Sequence, residues 1–343
     1  MHIGILAPIT HRIPPRAYGP WELVASQLAE GLVARGVDVT LFATRDANTQ
    51  AQLVAIAPGA LSEHPTMPPR AWEQMHIGEA LYHARERKVD LLHNHLNFWP
   101  LPFAKLVPYP ILTTLHGAAM LEAEARLVFQ HYRHYPYVSI SQAEAKAVPE
   151  LNYVATVYNG IAVDTVPFYE QHGEALVFLG RISYEKGTDL AIELARKMKR
   201  PLIIAGPIVE KDRQFYKEKI EPHIDGVSVV YRGIVDAAGR NALFKEAYAL
   251  VHPVRFPEPF GLVMIEAMAT GTPVLGLDRG AVCEVVKDGI GGFVGQQLDE
   301  LVEKAQDLAH LSRLTIRRHV EENFSLKTMV EGYLKAYLSV LEP

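Results

Sequence analysis

The chain has 343 residues, which corresponds to about two domains at roughly 150 residues each. Its residues are 49% hydrophobic and 21% charged, with 24 Gly and 23 Pro, values that suit a globular protein and exclude a collagen-like or wholly disordered chain. Lys and Arg number 34 against 39 Asp and Glu, so the formal net charge is −5. The composition therefore gives no basic excess of the kind that nucleic-acid binding requires, and we expect no nucleic-acid partner.

Cysteine content and hydropathy indicate a cellular compartment. The single cysteine, Cys283, cannot form a disulfide within the chain, which favours a reducing environment. Its neighbours Val282 and Val285 predict a small buried thiol. Residues 1–8 lack the pattern of a signal peptide, and no apolar run reaches the roughly 18 residues that span a bilayer. We therefore expect a cytoplasmic protein; peripheral membrane contact needs no spanning segment and is not indicated.

Short apolar runs alternate with longer segments of helical periodicity. The strands predicted in the first half are Ile3–Ala7, Val37–Ala43, Val89–His93, Ile111–Leu115 and Tyr137–Ile140. Those of the second half are Ala175–Leu179, Leu202–Ala205, Val227–Val230, Ala249–His252 and Pro273–Leu275. The main predicted helices are Trp21–Ala34, Ala71–Arg87, Asp189–Lys199, Ala237–Ala247, Val263–Ala269 and the terminal Ser325–Leu341. Wholly apolar strands that alternate with helices indicate parallel sheets covered on both faces.

Two such series predict two doubly wound α/β domains. The junction is predicted at Asn159-Gly160, which ends the first series of strands. Ligands of open parallel sheets bind outside the carboxyl ends of the strands. Functional residues are therefore expected in the loops at those ends.

The loop that follows the predicted strand Ala175–Leu179 carries two cations. Arg181 and Lys186 lie five positions apart between Gly180 and Gly187. Arg and Lys at the end of a strand can hold an anion such as a diphosphate without a metal ion. The stretch is not a phosphate-binding loop of the Walker A type, because Lys186 precedes the glycine instead of following it.

A second loop carries a constrained carboxylate. Pro257 and Pro259 prevent a regular helix through Glu258, whereas helical periodicity begins near Leu262 and includes Glu266. The amides of Phe260, Gly261 and Leu262 are predicted to be available for phosphate oxygens at the start of that helix. The two carboxylates suit sugar hydroxyls, which need hydrogen-bond acceptors a few ångströms beyond the phosphates.

Loops of the first half are less specific. Gly19 precedes Pro20 at a predicted helix start and permits close approach of a ligand to the backbone. His93 and His95 have the donor atoms for zinc, but no third ligand occurs at a suitable spacing. His116, at the end of the predicted strand Ile111–Leu115, is the better candidate for a proton carrier or a hydroxyl partner.

Two absent motifs narrow the function. No Gly-x-Gly-x-x-Gly follows a strand, which disfavours dinucleotide binding of the Rossmann type. No Asp-x-Asp occurs, so the usual means of holding a divalent cation on a sugar-nucleotide diphosphate is missing. Arg181 and Lys186 would supply that neutralising charge.

These residues match a known family. The segment around Glu258, with Glu266 eight positions later, resembles the Glu-x7-Glu signature of family-4 retaining glycosyltransferases. Gly180-Arg181 with Lys186-Gly187 is similar to the diphosphate loop of that family, and further similar segments follow the family order from the first strand to about Gly292. The resemblance implies the GT-B fold, in which two Rossmann-like domains face a central cleft and the C-terminal helix returns to the N-terminal domain. It implies an acceptor domain of residues 1–160 plus the helix 325–343, and a donor domain of residues 161–324.

The resemblance also implies roles for individual residues. The donor-binding residues are expected to be Gly19, Arg181, Lys186, Phe260, Gly261, Leu262 and Glu266. His116 and Glu258 are expected to be catalytic, and Asn94 and His95 to bind the acceptor, with no metal site. Arg181 and Lys186 would grip the diphosphate, and Glu266 the ribose. Pro20 replaces a glycine of the family pattern and removes one amide donor.

The implied activity is metal-independent, retaining transfer of a hexosyl group from a UDP- or GDP-sugar to an acceptor hydroxyl, with no cofactor. A GT-B-shaped sugar-nucleotide epimerase and a non-catalytic sugar-nucleotide-binding protein are the alternatives. A product assay for the free nucleoside diphosphate separates the epimerase from a transferase. The first 158 residues contain 12 Lys and Arg and 13 Asp and Glu, which favours a soluble sugar or small molecule as the acceptor over a membrane lipid.

Overall fold

Each half of the chain forms its own parallel β-sheet. The computed structural model describes residues 1–117 and 122–342. They divide into two units, one of residues Met1–Gly160 with the terminal segment from Leu326, and one of residues Ile161–Ser325.

The first unit contains a seven-stranded sheet of order β3-β2-β1-β4-β5-β6-β7. Its strands are β1 (His2–Leu6), β2 (Asp38–Ala43), β3 (Gln52–Ala55), β4 (Leu91–Asn94), β5 (Ile111–Thr114), β6 (Tyr137–Ser139) and β7 (Tyr153–Thr156). Its helices up to the junction include α1 (Pro20–Val33), α2 (Pro69–Glu86), α3 (Ala123–His131) and α4 (Gln142–Ala147). Neighbouring strands pair in parallel, and the strand order reverses between β1 and β4, which is where such sheets bind ligands.

The second unit contains a six-stranded parallel sheet of order β10-β9-β8-β11-β12-β13. Its strands are β8 (Ala175–Leu179), β9 (Leu202–Ala205), β10 (Val229–Tyr231), β11 (Ala247–His252), β12 (Val274–Leu277) and β13 (Gly292–Gly295). Its helices are α5 (Thr188–Met198), the short α6 (Arg213–Phe215), α7 (Ala237–Glu246), α8 (Leu262–Ala269), α9 (Val282–Val286), α10 (Leu298–Lys304) and α11 (Arg313–Asn323). The order reverses between β8 and β11.

All ten strands predicted from the sequence are present, with ends that differ by at most two residues. The three strands that sequence analysis missed, β3, β7 and β13, lie at sheet edges. An edge strand has only one neighbouring strand and is less enclosed, so it needs no continuous apolar run. The residues of β7, for example, are all half-buried.

The last helix, α12 (Leu326–Leu341), belongs to the first unit. Its buried side chains include Met329, Val330, Tyr333 and Tyr337. It packs closely on α1 because Gly31 has no side chain: a Cβ there would lie 2.5 Å from Cγ2 of Val330.

The prediction of a buried thiol at Cys283 is wrong, because this residue is exposed. Val282, Val285 and Val286 form the buried face of α9. Cys283 belongs to the same short helix but is not among its buried residues. No helix of the described residues is long and apolar enough to cross a membrane.

Two glycines in helices provide a matched test of the packing of α12. We expect Gly31→Ala to lower the free energy of unfolding by about 1–3 kcal/mol, because the added methyl group overpacks the contact with the stiff Val330 side chain. Gly78→Ala, in α2, meets no heavy atom within 4 Å, so its helix propensity should raise stability by up to about 1 kcal/mol. Urea unfolding of both variants measures the difference, and a stabilising Gly31→Ala would contradict the packing described.

Candidate active site

In the second unit, Glu258 lies between two basic side chains. Its Oε2 is 2.6 Å from Nζ of Lys186 and 3.1 Å from Nε2 of His252. The Glu258 side chain is only 6% exposed. Burial by itself raises the pKa of Glu258, but Lys186 and His252 outweigh this effect and lower it to about 2. The carboxylate is therefore ionised at neutral pH and holds both partners at the carboxyl end of β11.

The backbone of Glu258 is held by the loop that follows β12. Its amide donates to the carbonyl of Arg279 at 3.3 Å, and its carbonyl accepts from Ala281 at 2.8 Å. Gly280 has a φ of +63°, and a Cβ there would lie 2.4 Å from the Glu258 carbonyl oxygen. Sequence analysis identified the flanking prolines but missed this loop. The signal for this loop was Gly280, three residues after the end of β12.

Arg181 and Lys186 both have carboxylate partners. Arg181 pairs with Glu185, and its Nε is 3.2 Å from Oδ2 of Asp212, an ion pair whose geometry is not that of a hydrogen bond. The two side chains are 24% and 26% exposed, so each can still reach an added anion. The loop thus presents two anchored cations.

Arg255, which sequence analysis did not single out, ties the two loops of the second unit together. It donates to both carboxylate oxygens of Asp189 at 2.7 Å, and its guanidinium lies 4.0 Å from the ring centroid of Tyr184. Its backbone amide also donates to the carbonyl of Glu185 at 2.8 Å. These contacts fix the segment that carries Lys186 against the segment that carries Glu258.

Glu266 lies in α8, with Oε1 3.4 Å from a guanidinium nitrogen of Arg240. Burial raises the pKa of Glu266, and Arg240 opposes this effect. Gly261 precedes the helix with a φ of +84°, a backbone conformation that favours glycine. The side chain of Phe260 is buried against Phe324.

The start of α8 provides backbone donors. The amide of Met264 bonds to the carbonyl of Gly261 at 2.9 Å. Leu262 and Val263 lie in the first turn, where N–H groups have no acceptor within the helix and attract anions. The helix start and the Glu258 cluster both belong to the segment that joins β11 to α8.

In the first unit, the loop before α1 meets the end of β5. Gly19 precedes α1 with a φ of +151°, and a Cβ there would lie 2.9 Å from Cβ of Pro15. The ring of Trp21 stacks on His116 with centroids 5.3 Å apart and planes inclined by 23°. Trp21 thus holds the loop of Gly19 next to the loop of His116. Sequence analysis placed Trp21 at a helix start and gave it no further role.

Three histidines form a buried chain inward from His116. Nε2 of His116 is 3.0 Å from Nδ1 of His95, and Nε2 of His95 is 3.3 Å from Nδ1 of His93. His93 also contacts the hydroxyl of Tyr337 at 2.8 Å and that of Thr114 at 2.7 Å. Burial lowers the pKa of His93 and of His116 to about 3, and that of His95 well below its ordinary value. The three rings are therefore neutral at neutral pH.

Asn94 is fully buried, and its side chain bonds to the loop that follows β4 and to the neighbouring strand β5. Its Nδ2 donates to the carbonyl of Asn97 at 2.6 Å and to Oγ1 of Thr113 at 3.1 Å. Its Oδ1 accepts from the amide of Leu96 at 2.7 Å. This arrangement makes Asn94 a brace for the end of β4.

Among the residues that the structure describes, no group of three His, Cys, Asp or Glu side chains is arranged to hold a metal ion.

Two family models match adjoining parts of the chain. The model of glycosyl transferases group 1 matches residues 169–324, and the model of glycosyltransferase family 4 matches residues 22–165. The second unit thus corresponds to the first of these models, and most of the first unit to the other.

One curated relative is similar over most of the chain, and a second over less than half of it. A phosphatidyl-myo-inositol mannosyltransferase of Mycobacterium leprae is 26% identical over 326 residues, which cover 86% of this chain and 83% of the relative. A glycogen synthase of Mycobacterium tuberculosis is 33% identical over 153 residues, which cover 42% of this chain and 36% of the relative.

Solved structures share the fold. A glycosyltransferase involved in avilamycin A biosynthesis has a TM-score of 0.75 at 21% identity, covering 99% of this chain and 97% of its own. The Anabaena protein HepE, in complex with UDP-glucose, has a TM-score of 0.75 at 16% identity, covering 98% and 99%. The fold is therefore GT-B, as the sequence predicted, with two Rossmann-like α/β units of seven and six parallel strands.

Acid should destabilise the first unit at a pH where most of its carboxylates are still ionised. Burial lowers the pKa of His76 to about 4, in addition to His93 and His116 at about 3, whereas an unfolded histidine titrates near 6.5. Below about pH 6.5 the unfolded chain binds more protons than the folded chain. The free energy of unfolding is then expected to fall by about 1.4 kcal/mol per pH unit for each such histidine.

Glu144 partly offsets the histidines, because burial raises its pKa to about 8 and the folded chain then holds a proton that the unfolded chain lacks. Thermal unfolding at about pH 7.5 and about pH 5.5 measures the net loss. His76→Gln keeps an amide donor for the Ala7 carbonyl, which His76 contacts at 2.9 Å, and should show a smaller loss. His310→Gln, at a side chain 80% exposed, is the control. Equal melting temperatures at the two pH values would refute the prediction.

Proposed function

Because this chain belongs to the family-4 glycosyltransferases, we propose that it transfers a hexosyl group from a nucleoside-diphosphate sugar to an acceptor hydroxyl. The transfer is metal-independent and retains the configuration of the sugar. The observation that carries the proposal is the cluster of the partly exposed Lys186 with the buried Glu258 and His252, in the segment that leads to α8. A UDP- or GDP-sugar is the donor, and the complex of HepE with UDP-glucose, at the same fold, supports that class of ligand.

The charges of the second unit suit a diphosphate. Arg181 and Lys186 neutralise the phosphates, and the first-turn amides of α8 add donors. An ammonium group has three N–H donors, so Lys186 can keep its contact with Glu258 at 2.6 Å and still bind a phosphate oxygen. Glu258 therefore has two functions: it orients Lys186, and it accepts hydrogen bonds from sugar hydroxyls.

Glu266 and Arg240 are assigned to the ribose. An ionised carboxylate accepts two hydroxyl hydrogen bonds, and Arg240 at 3.4 Å favours the ionised form. Phe260, Gly261 and Leu262 set the direction of the helix start. On the first unit we assign Gly19 to the donor phosphates.

Transfer follows from the development of charge. Departure of the nucleoside diphosphate builds negative charge on the β-phosphate, which Arg181, Lys186 and the helix amides stabilise. The acceptor hydroxyl attacks the oxocarbenium-like sugar from the face that the diphosphate left, and the departing phosphate oxygen takes its proton. His116 forms a hydrogen bond with a sugar hydroxyl. His95 and Asn94 are fully buried, so they contribute to acceptor binding by supporting the residues that line the acceptor site. The acceptor is a soluble sugar or another small molecule.

Loss of either partner of the central ion pair should strongly reduce turnover. We expect Lys186→Ala, Glu258→Ala and the isosteric Glu258→Gln to lower kcat by about a hundredfold or more. Lys186→Ala removes a cation that stabilises the leaving diphosphate, and the two Glu258 variants remove the carboxylate that orients Lys186 and accepts hydrogen bonds from sugar hydroxyls. Release of nucleoside diphosphate, measured with purified protein and a donor panel, reports the effect. Lys197→Ala, which breaks the surface pair with Asp299, is the matched control. Wild-type turnover in the Lys186 and Glu258 variants, with unchanged circular dichroism, would exclude the assignment.

Chelation should leave the reaction unaffected. Because Arg181 and Lys186 supply the positive charge, we expect an excess of EDTA to change neither kcat nor the affinity for the nucleoside diphosphate. Calorimetric titration with UDP, GDP and ADP identifies the base, and the same titration in EDTA tests the metal. A loss of affinity that Mg²⁺ or Mn²⁺ restores would show that a metal ion takes part.

A further inference from the structure

A continuous line of polar contacts joins α12 to His116. It runs from the hydroxyl of Tyr337 to His93, from His93 to His95 and from His95 to His116, at 2.8, 3.3 and 3.0 Å. His93 and His95 are fully buried, and His116 is 8% exposed. Polar groups at such depth must satisfy one another, because water cannot do so.

The neutrality of the rings restricts where the hydrogens lie. A neutral imidazole has one N–H donor and one bare nitrogen acceptor, and burial keeps all three rings neutral. In each contact between two ring nitrogens, one nitrogen must donate and the other accept. The tautomer of one ring therefore dictates that of the next.

The direction of the chain is set at Tyr337. A buried tyrosine O–H needs an acceptor, and the ring nitrogen Nδ1 of His93, at 2.8 Å, provides one. The proton of His93 then lies on Nε2, from which it donates to Oγ1 of Thr114 at 2.7 Å. Nδ1 of His93 has one lone pair, which the Tyr337 hydroxyl at 2.8 Å and the more distant Nε2 of His95 at 3.3 Å share, and His95 carries its proton on Nε2 since a bare nitrogen there would oppose that lone pair.

The same reasoning reaches the surface of the unit. Nδ1 of His95 is bare and accepts from Nε2 of His116. We propose that Tyr337, acting through His93 and His95 as positioning residues, holds the proton of His116 on Nε2. Nδ1 of His116 is then a hydrogen-bond acceptor, and within the part of the chain that the structure describes no side chain or amide bonds to it.

This inference deepens the proposed function and, as far as turnover is concerned, rests on it. A fixed acceptor nitrogen on His116 selects a ligand hydroxyl that donates its hydrogen. Trp21 stacks on the ring and fixes its plane, so both the orientation and the tautomer are determined before a ligand binds. The last helix thereby contributes to the chemistry of a residue more than two hundred positions earlier in the chain.

Two tyrosines of α12 allow a matched experiment on the full chain. Tyr337→Phe removes the hydroxyl that faces Nδ1 of His93. Tyr333→Phe removes a hydroxyl one turn away, which contacts Oγ1 of Thr114 at 3.1 Å and, among the described residues, no histidine nitrogen. Both tyrosines are fully buried, so the two variants should lose similar stability. Long-range ¹H–¹⁵N spectra of ¹⁵N-histidine protein report the tautomer of each ring, and single histidine substitutions assign the signals.

We expect the wild type and Tyr333→Phe to show His93, His95 and His116 protonated on Nε2 alone. Tyr337→Phe should show mixed tautomers at His93, His95 and His116. A wild-type His116 protonated on Nδ1, or spectra of Tyr337→Phe that match the wild type, would overturn the inference. These spectra need no substrate, so they decide it even if the chain transfers no sugar.

Kinetics then connect the tautomer to turnover. Tyr337→Phe should lower kcat by about threefold to tenfold, the effect of one weakened hydrogen bond, with KM for the donor changed less. His95→Asn, whose amide replaces Nδ1 of the ring, should retain more activity than His95→Leu. Equal activities of the two His95 variants would overturn the role of the chain in turnover.

Discussion

The buried carboxylate of Glu258 organises the second unit. A carboxylate that is 6% exposed is costly unless a charged partner and further hydrogen bonds compensate for lost hydration. Lys186 and His252 do so, and a pKa lowered from 4.5 to about 2 corresponds to about 3 kcal/mol in favour of the charged form. Lys186 comes from the loop after β8, and His252 from the end of β11. One interaction therefore draws together the loops on both sides of the point where the strand order reverses.

The other contacts of this region support that interaction. Arg255 joins the segments of Lys186 and Glu258 through Asp189. Gly280 lets a neighbouring loop reach the backbone of Glu258. The cations are thus oriented before any ligand arrives, and preorganised charge is most effective when it need not rearrange during a reaction.

The first unit uses burial in a different way. His93, His95 and His116 form neutral hydrogen-bonding groups in place of ions, since burial lowers their pKa values. The hydrogen bonds along a chain of neutral imidazole rings can all point in either of two directions, and a hydroxyl at one end can determine which direction is adopted. This dependence makes α12 part of the chemistry of the unit as well as of its stability.

The sequence by itself determined the two parallel sheets, because wholly apolar strands such as β8 and β9 must be buried on both faces. It also placed Arg181, Lys186, Glu258 and His116 at strand ends, since the position of a loop follows from the order of strands. Three of the four edge strands, β3, β7 and β13, escaped it, because a strand with one neighbour needs no continuous apolar run. Only the tertiary structure decided the partners: that His252 shares the carboxylate of Glu258, that Asn94 braces a loop, and that Tyr337 meets His93. Those contacts join residues distant in the chain, and their distances depend on how the elements pack, which no local pattern of residues records.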